Sequence, residues 1–203
     1  MIQAVIFDLG GVLIEDPSAG MIMYYANYLQ VSRESLIEAL DKLWDAWLKG
    51  SFSEQELWKQ VTTDLKIQSP LCDSLWLDGF KQARRERPEM FLLLKQLKRQ
   101  GYTTALLSNT EMPLVSYFKQ HPYEDINRCF YSCEMGLRKP EKGIYEKTLQ
   151  GLGCQPEAAV FIDDREENVD AATRLGILSI LFRTCDDLKE QLLRYHIFVE
   201  ATG

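Results

Sequence analysis

Ala4-Val5-Ile6-Phe7-Asp8-Leu9-Gly10-Gly11-Val12 is the stretch on which the fold turns. Four apolar residues, the length of a buried strand, run directly into a carboxylate and a pair of glycines. A charge serving only solubility is poorly placed where a buried strand opens into a turn. One that must meet a ligand is well placed there. The arrangement recurs at Leu106-Leu107-Ser108-Asn109-Thr110 and at Val160-Phe161-Ile162-Asp163-Asp164, with a Lys139-Pro140 turn between them. Three strand-to-loop junctions carrying hydroxyls or carboxylates make an active site the leading expectation.

Outward from these junctions the chain alternates helix and strand. Met90, Leu93, Leu94 and Leu97 share one helix face that Gly101 stops, and a strand is expected at 102–107. Further elements are expected as a helix at 113–119, a strand at 129–131, a helix at 141–152, a strand at 159–162, a helix at 166–175 and a strand at 178–182. Such alternation implies an α/β fold, a doubly wound parallel sheet wrapped by helices. Ligands of these sheets bind beyond the carboxyl ends of the strands, where Asp8, Ser108, Asp163 and Asp164 fall.

Between the first junction and residue 86 only helical signals occur. Ser32 caps a helix expected to carry Leu36, Leu40, Leu43 and Trp47 as far as Gly50. Ser53 and Glu56 form a capping box, with Phe52 and Leu57 spaced as a hydrophobic staple. Ser69-Pro70 is expected to open another helix. The chain is thus divided into an α/β core, residues 1–16 and 86–203, and a small all-helical cap, residues 17–85. Trp44, Trp47, Trp58 and Trp76 are expected in the interior of that cap. Tyr24, Tyr25 and Asn27 are its candidates to face a substrate.

A length of 203 residues suits one domain with a modest insert. The net charge of −7 argues against nucleic acid, which needs a basic face, and against an anionic membrane surface. Five cysteines without repeated spacing suggest reduced thiols and a cytoplasmic protein. Neither a signal peptide nor a membrane span is expected, and the sequence gives no oligomeric state. His121 and His196 sit in no motif and are expected at the surface. Arg138 is expected to face water.

The carboxylates of Asp8, Asp163 and Asp164 would repel one another at one sheet edge, by roughly 4 kcal/mol for a pair about 4 Å apart at an effective dielectric of 20. Mg²⁺ removes that cost and favours sites built from one or two carboxylates, waters and phosphate oxygens. The Gly10 carbonyl is a further oxygen ligand. Lys139 supplies positive charge and the Ser108 hydroxyl a donor, which together suit a phosphoryl group. Asp8 is then placed to accept the phosphoryl group as a nucleophile. Asn168, and less so Arg165, are candidates to brace the metal loop.

Phe7-Asp8-Leu9-Gly10-Gly11-Val12, Leu107-Ser108-Asn109-Thr110, Arg138-Lys139-Pro140 and Phe161-Ile162-Asp163-Asp164 resemble, in order, the four motifs of the haloacid dehalogenase superfamily. The resemblance covers nearly the whole chain and looks closest to the glucose-1-phosphate phosphatase group. It implies Asp8 as nucleophile and metal ligand and Gly10 as a backbone ligand. It further implies Ser108 and Asn109 as phosphate binders, Lys139 as the neutralising cation, and Asp164, with Asp163, as ligands of Mg²⁺. The substrate implied is a small phosphorylated metabolite, such as glucose 1-phosphate.

One position departs from the family's phosphatases. They carry a second aspartate two residues after the nucleophile, where this chain has Gly10. Acid–base assistance is worth roughly 10²–10⁴ in rate, and its loss matters least for an acidic leaving alcohol such as an anomeric hydroxyl. Glu15 or Asp16 could substitute. The gap also admits a metal-independent 2-haloacid dehalogenase, against which the Asp163-Asp164 pair speaks. A catalytically silent binding protein is the alternative from another class.

Overall fold

In the computed structural model residues 1–199 are described; residues 200–203, at the end of the expected core, lie outside them. Strands β1 (Ala4–Phe7), β2 (Thr103–Ser108), β3 (Arg128–Tyr131), β4 (Ala159–Asp163) and β5 (Leu178–Leu181) form one sheet in the order 3-2-1-4-5. Every pairing in it is parallel. All residues of β1 and β4 are buried, as expected for strands covered on both faces. Their side chains alternate between two cores. Val5 and Phe7 enter the larger, which continues into the helices after β1, whereas Ile6 joins Leu107, Ile144 and Phe161 on the opposite face.

The strand order reverses at β1, with β2 on one side and β4 on the other. Phe7 is level with Leu106 and with Ile162, so Asp8 emerges beside Asp163 and one residue short of Ser108. The Asp8 N–H donates to the Ile162 carbonyl at 2.9 Å, which holds the first turn against β4. The sequence motifs therefore meet at the switch point of the sheet, where an open parallel sheet leaves a crevice.

Five helices follow β1: α1 (Ser18–Leu29), α2 (Arg33–Asp41), α3 (Trp44–Leu48), α4 (Glu54–Leu65) and α5 (Leu75–Ala83). Ser32 caps α2 as expected, accepting the Ser35 N–H, but the helix stops at Asp41. The Leu43 N–H bonds back to the Leu40 carbonyl and α3 starts afresh, so one expected helix is two. The break reorients the tryptophans: Trp47 is buried and stacks on Phe52 at 5.7 Å, whereas Trp44 is half-buried at the mouth of the site. The capping box of Ser53 and Glu56 is present in both directions. No helix opens at Ser69-Pro70. The Ser69 hydroxyl is engaged with Thr62, and α5 starts six residues after Ser69 behind Ser74, whose hydroxyl accepts the Leu77 N–H.

Helices α1 and α5 pack closely because Gly79 has no side chain. A Cβ there would stand 2.2 Å from the Tyr25 ring, whose hydroxyl donates to the Trp76 carbonyl.

The later helices are α6 (Pro88–Arg99), α7 (Met112–Gln120), α8 (Ser132–Met135), α9 (Lys142–Leu152), α10 (Glu166–Thr173) and α11 (Cys185–Arg194). Met90, Leu93, Leu94 and Leu97 are the fully buried face of α6. The other expected elements are present with ends shifted by one or two residues, within the fraying of element ends. No described helix is long and apolar enough to cross a membrane.

Candidate active site

Lys139 is the centre of the site. Its ammonium is 2.7 Å from Asp8 Oδ1 and 2.7 Å from Asp163 Oδ2, and the lysine side chain is 1% exposed. A lysine this dry needs partners, and two carboxylates supply them. The other oxygen of Asp163 accepts the Arg165 backbone N–H and the Asn168 side-chain amide, each at 2.9 Å. Both oxygens of Asp163 are therefore occupied by protein donors. Asn168 braces this loop with its side chain, while Arg165 contributes its backbone.

Asn109 fixes the lysine from behind. Its Oδ1 accepts the Lys139 N–H at 2.8 Å and its Nδ2 donates to the Lys139 carbonyl at 3.0 Å. Ser108 is buried and its hydroxyl is paired with that of Thr110. The Thr110 N–H donates to Ser132 Oγ at 2.9 Å, and that hydroxyl donates to the Leu48 carbonyl at 2.6 Å. The β2 loop is thereby tied to α3. Arg138, expected in water, instead reaches Asp45 at 2.7 Å, and Lys49 bridges Asp45 and Glu141. These ties hold the helices after β1 across the sheet edge.

Asp8, Asp163 and Asp164 each bring one carboxylate oxygen to within 4.8 Å of the others. Asp164 lies against Gly11, whose φ of +85° and missing Cβ open the space for it. Such a gathering of hard oxygens suits a hard divalent cation, with Asp163 turned to Lys139, Arg165 and Asn168 and so placed to support the ion's other ligands. A cleft of about 150 Å³ exposes Asp8, Gly10, Ser108, Lys139 and Asp164 together. Burial lifts the Asp8 carboxyl to about 7, against the pull of Lys139. Burial and the neighbouring Asp163 also raise Asp164. Burial alone would lower Lys139, yet Asp8 and Asp163 hold its pKa above the ordinary lysine value.

Of the remaining expected residues, Asp16 lines the cleft but is exposed, its carboxylate accepting from the N–H and hydroxyl of Ser18. Glu15 is exposed outside it. His121 and His196 are exposed. Tyr25 lines a second cavity that adjoins the cleft, whereas Tyr24 and Asn27 lie outside both. Trp44 and Trp76 line that cavity too, in addition to packing among the other rings. Sequence reasoning missed Thr110, Ser132 and Glu111. Thr110 stands at the end of the second motif with no role assigned to it, but nothing local marks Ser132. Glu111 is buried, accepts the Trp76 indole N–H at 3.2 Å, and is pushed up to about 7 by burial.

A doubly wound sheet with this lysine–carboxylate cluster at its switch point defines a class of hydrolase. The chain belongs to the haloacid dehalogenase-like hydrolases, whose family model matches residues 2–176. It is 26% identical to the sesquiterpene phosphatase astK of Aspergillus oryzae, over 93% of this chain and 95% of that protein. It is also 27% identical to mouse acyl-CoA dehydrogenase family member 10 and 24% identical to rat bifunctional epoxide hydrolase 2. The chain spans only 18% and 37% of their lengths. A haloacid dehalogenase family enzyme from Bacteroides thetaiotaomicron, solved with magnesium and inorganic phosphate, superposes with a TM-score of 0.75 at 26% identity. That match covers 90% of this chain and 95% of that one.

Proposed function

We propose that the protein is a magnesium-dependent phosphatase that cleaves a small phosphate monoester through an aspartyl phosphate on Asp8. The observation that carries this is the Lys139 ammonium, locked between Asp8 and Asp163 with Asp164 beside them. A cation fixed against a carboxylate lets that carboxylate meet a phosphate dianion. The Bacteroides relative with magnesium and phosphate supports the same chemistry.

In this reading an Asp8 carboxylate oxygen attacks phosphorus, the ester P–O bond breaks, and the departing alkoxide takes a proton from solvent water to leave as the alcohol, a proton returned to solvent when the acyl phosphate is hydrolysed. Water then attacks the same phosphorus, the acyl phosphate bond breaks, and Asp8 is regenerated with release of inorganic phosphate. Magnesium, held by Asp8, Asp164 and the Gly10 carbonyl, would screen the phosphate charge during both steps. Lys139 neutralises Asp8 and the incoming phosphate, and Ser108 donates to a phosphate oxygen. Asp163 and Asn109 position Lys139, since their side chains are already committed to it. Residues 17–85 act as the cap and the rest of the chain as the core. Glucose 1-phosphate, favoured by the missing acid at Gly10, has the weaker support, because the wall beside the nucleophile is mostly apolar.

The test is phosphate release from a panel of monoesters, with magnesium and with chelator, for the wild type and Asp8→Asn. Release that needs magnesium and disappears in Asp8→Asn is expected. Halide release from 2-haloacids, indifferent to chelator, would make the protein a dehalogenase. Silence across the panel with tight binding of a phosphorylated ligand would make it a binding protein.

A further inference from the structure

Beside the polar cleft lies a second cavity of about 120 Å³, and the two share Gly10, Trp44, Ser108 and Asn109 as walls. Its floor is made by the helices after β1 and by the β2 loop. Its surface is mostly apolar, and Met21, Ile22, Tyr25, Trp76, Phe80 and Leu114 are among its walls. A phosphate seated on Ser108 and Lys139 would point its ester oxygen along the shared wall into this space. We infer, on the basis of the phosphatase function proposed above, that the leaving alcohol is a compact uncharged hydrocarbon group, branched or aromatic, of about five or six carbons.

Three observations carry the inference. The first is size: an engineered apolar cavity of about 150 Å³ takes up benzene, and this one is slightly smaller. The second is chemistry. A sugar brings several hydroxyls that each need a partner once dry, at a cost of roughly 1–3 kcal/mol for each left without one. The aliphatic and aromatic side chains named above have few partners to give, and the Tyr25 hydroxyl is already donating to the Trp76 carbonyl.

The third concerns charge. Glu111 is the carboxylic acid in the wall and would be the natural partner of an ammonium group amid aromatic rings. It is already 6% exposed and accepts the Trp76 indole N–H, which ties it to the cavity wall. Burial raises it to about 7, so near neutral pH its uncharged form is readily available and hydrocarbon can cover it. The wall thus carries no permanently fixed negative charge to reward an ammonium group, and the apolar lining favours hydrocarbon.

A matched set of substrates tests this on the whole protein with magnesium. 3,3-Dimethylbutyl phosphate and phosphocholine have the same shape and differ in the charge of the group that enters the cavity. Glucose 1-phosphate adds hydroxyls, and acetyl phosphate leaves the cavity unfilled. The expected result is kcat/KM for 3,3-dimethylbutyl phosphate at least about tenfold above phosphocholine and glucose 1-phosphate. Ile22→Asn, at a half-exposed part of the wall, is expected to narrow that ratio. Phosphocholine equal or better would overturn the inference in favour of an ammonium site, and glucose 1-phosphate equal or better would overturn it in favour of a sugar. In both cases the phosphatase function would stand. No magnesium-dependent release from any of the four, acetyl phosphate included, would defeat both.

Discussion

A Cβ on Gly11 would stand 2.2 Å from Oδ2 of Asp164. The first motif and the last are thus in contact through a missing side chain, and the Asp164 carboxylate occupies the place a methyl group would take. Gly11 also holds φ at +85°, a left-handed conformation that costs an L-residue roughly 1–2 kcal/mol. Gly11→Ala is therefore expected to displace Asp164 and cut magnesium-dependent turnover by at least about 100-fold. Stability should fall by about 1–2 kcal/mol. Phosphate release across a magnesium titration, with thermal melts alongside, checks both. Turnover near wild type at unchanged magnesium demand would remove Asp164 from the metal site.

Gly10 is the opposite case. A Cβ there meets only the Pro17 ring, at an ordinary 3.6 Å, so the backbone accepts a side chain at this position. Gly10→Asp should supply the acid–base group the chain lacks and speed turnover of esters with poor leaving alcohols by about 10-fold or more. Activated esters should gain little. Steady-state rates across a series of leaving-group pKa values measure the change in slope. An unchanged slope would mean that another group already carries the proton.

The sheet and its junctions were legible because a parallel sheet turns a one-dimensional pattern into a place. Apolar runs ending at Asp8, Ser108 and Asp163 must deliver those residues to one edge. The region between residues 17 and 85 was less legible. Leu36, Leu40, Leu43 and Trp47 keep a helical period, yet the chain breaks after Asp41 so that Trp44 and Trp47 face different surroundings. Periodicity reports that a side chain is buried, not what it is buried against. Ser69-Pro70 and Ser74 are both competent caps, but the Ser74 hydroxyl takes the cap by accepting the Leu77 N–H while donating to Glu54, and the Ser69 hydroxyl is engaged with Thr62. The Trp76–Glu111 contact joins residues 35 apart and has no local signature.

Lys139 neutralises two carboxylates that have no other cation within ion-pair distance among the described residues. Lys139→Met should abolish turnover and, with magnesium chelated, destabilise the fold by about 3–5 kcal/mol at pH 8. The loss should shrink toward pH 5. Asp8, already lifted to about 7 with the lysine present, rises further without it and takes up a proton as pH falls. The lysine's own raised pKa keeps the wild type charged throughout this range. Chelated urea melts at the two pH values give the comparison. An equal loss at both would mean that the lysine acts by packing instead of charge.

Glu111 imposes a pH dependence of the opposite kind to an ion-paired carboxylate. Its folded pKa, near 7, lies above the ordinary glutamate value of 4.5, so the folded protein holds its proton more tightly than the unfolded chain does. That contribution favours folding most below about 4.5. It declines as pH rises through the window from 4.5 to 7 and is flat above it. At about 1.4 kcal/mol per pH unit the whole change is on the order of 3 kcal/mol. Glu111→Gln keeps an oxygen for the Trp76 indole and cannot ionise. It should therefore melt higher than wild type at pH 8, with the gap closing toward pH 5. A variant that melts lower than wild type at pH 8 would show that Glu111 is ionised and satisfied in the fold, by a donor other than Trp76.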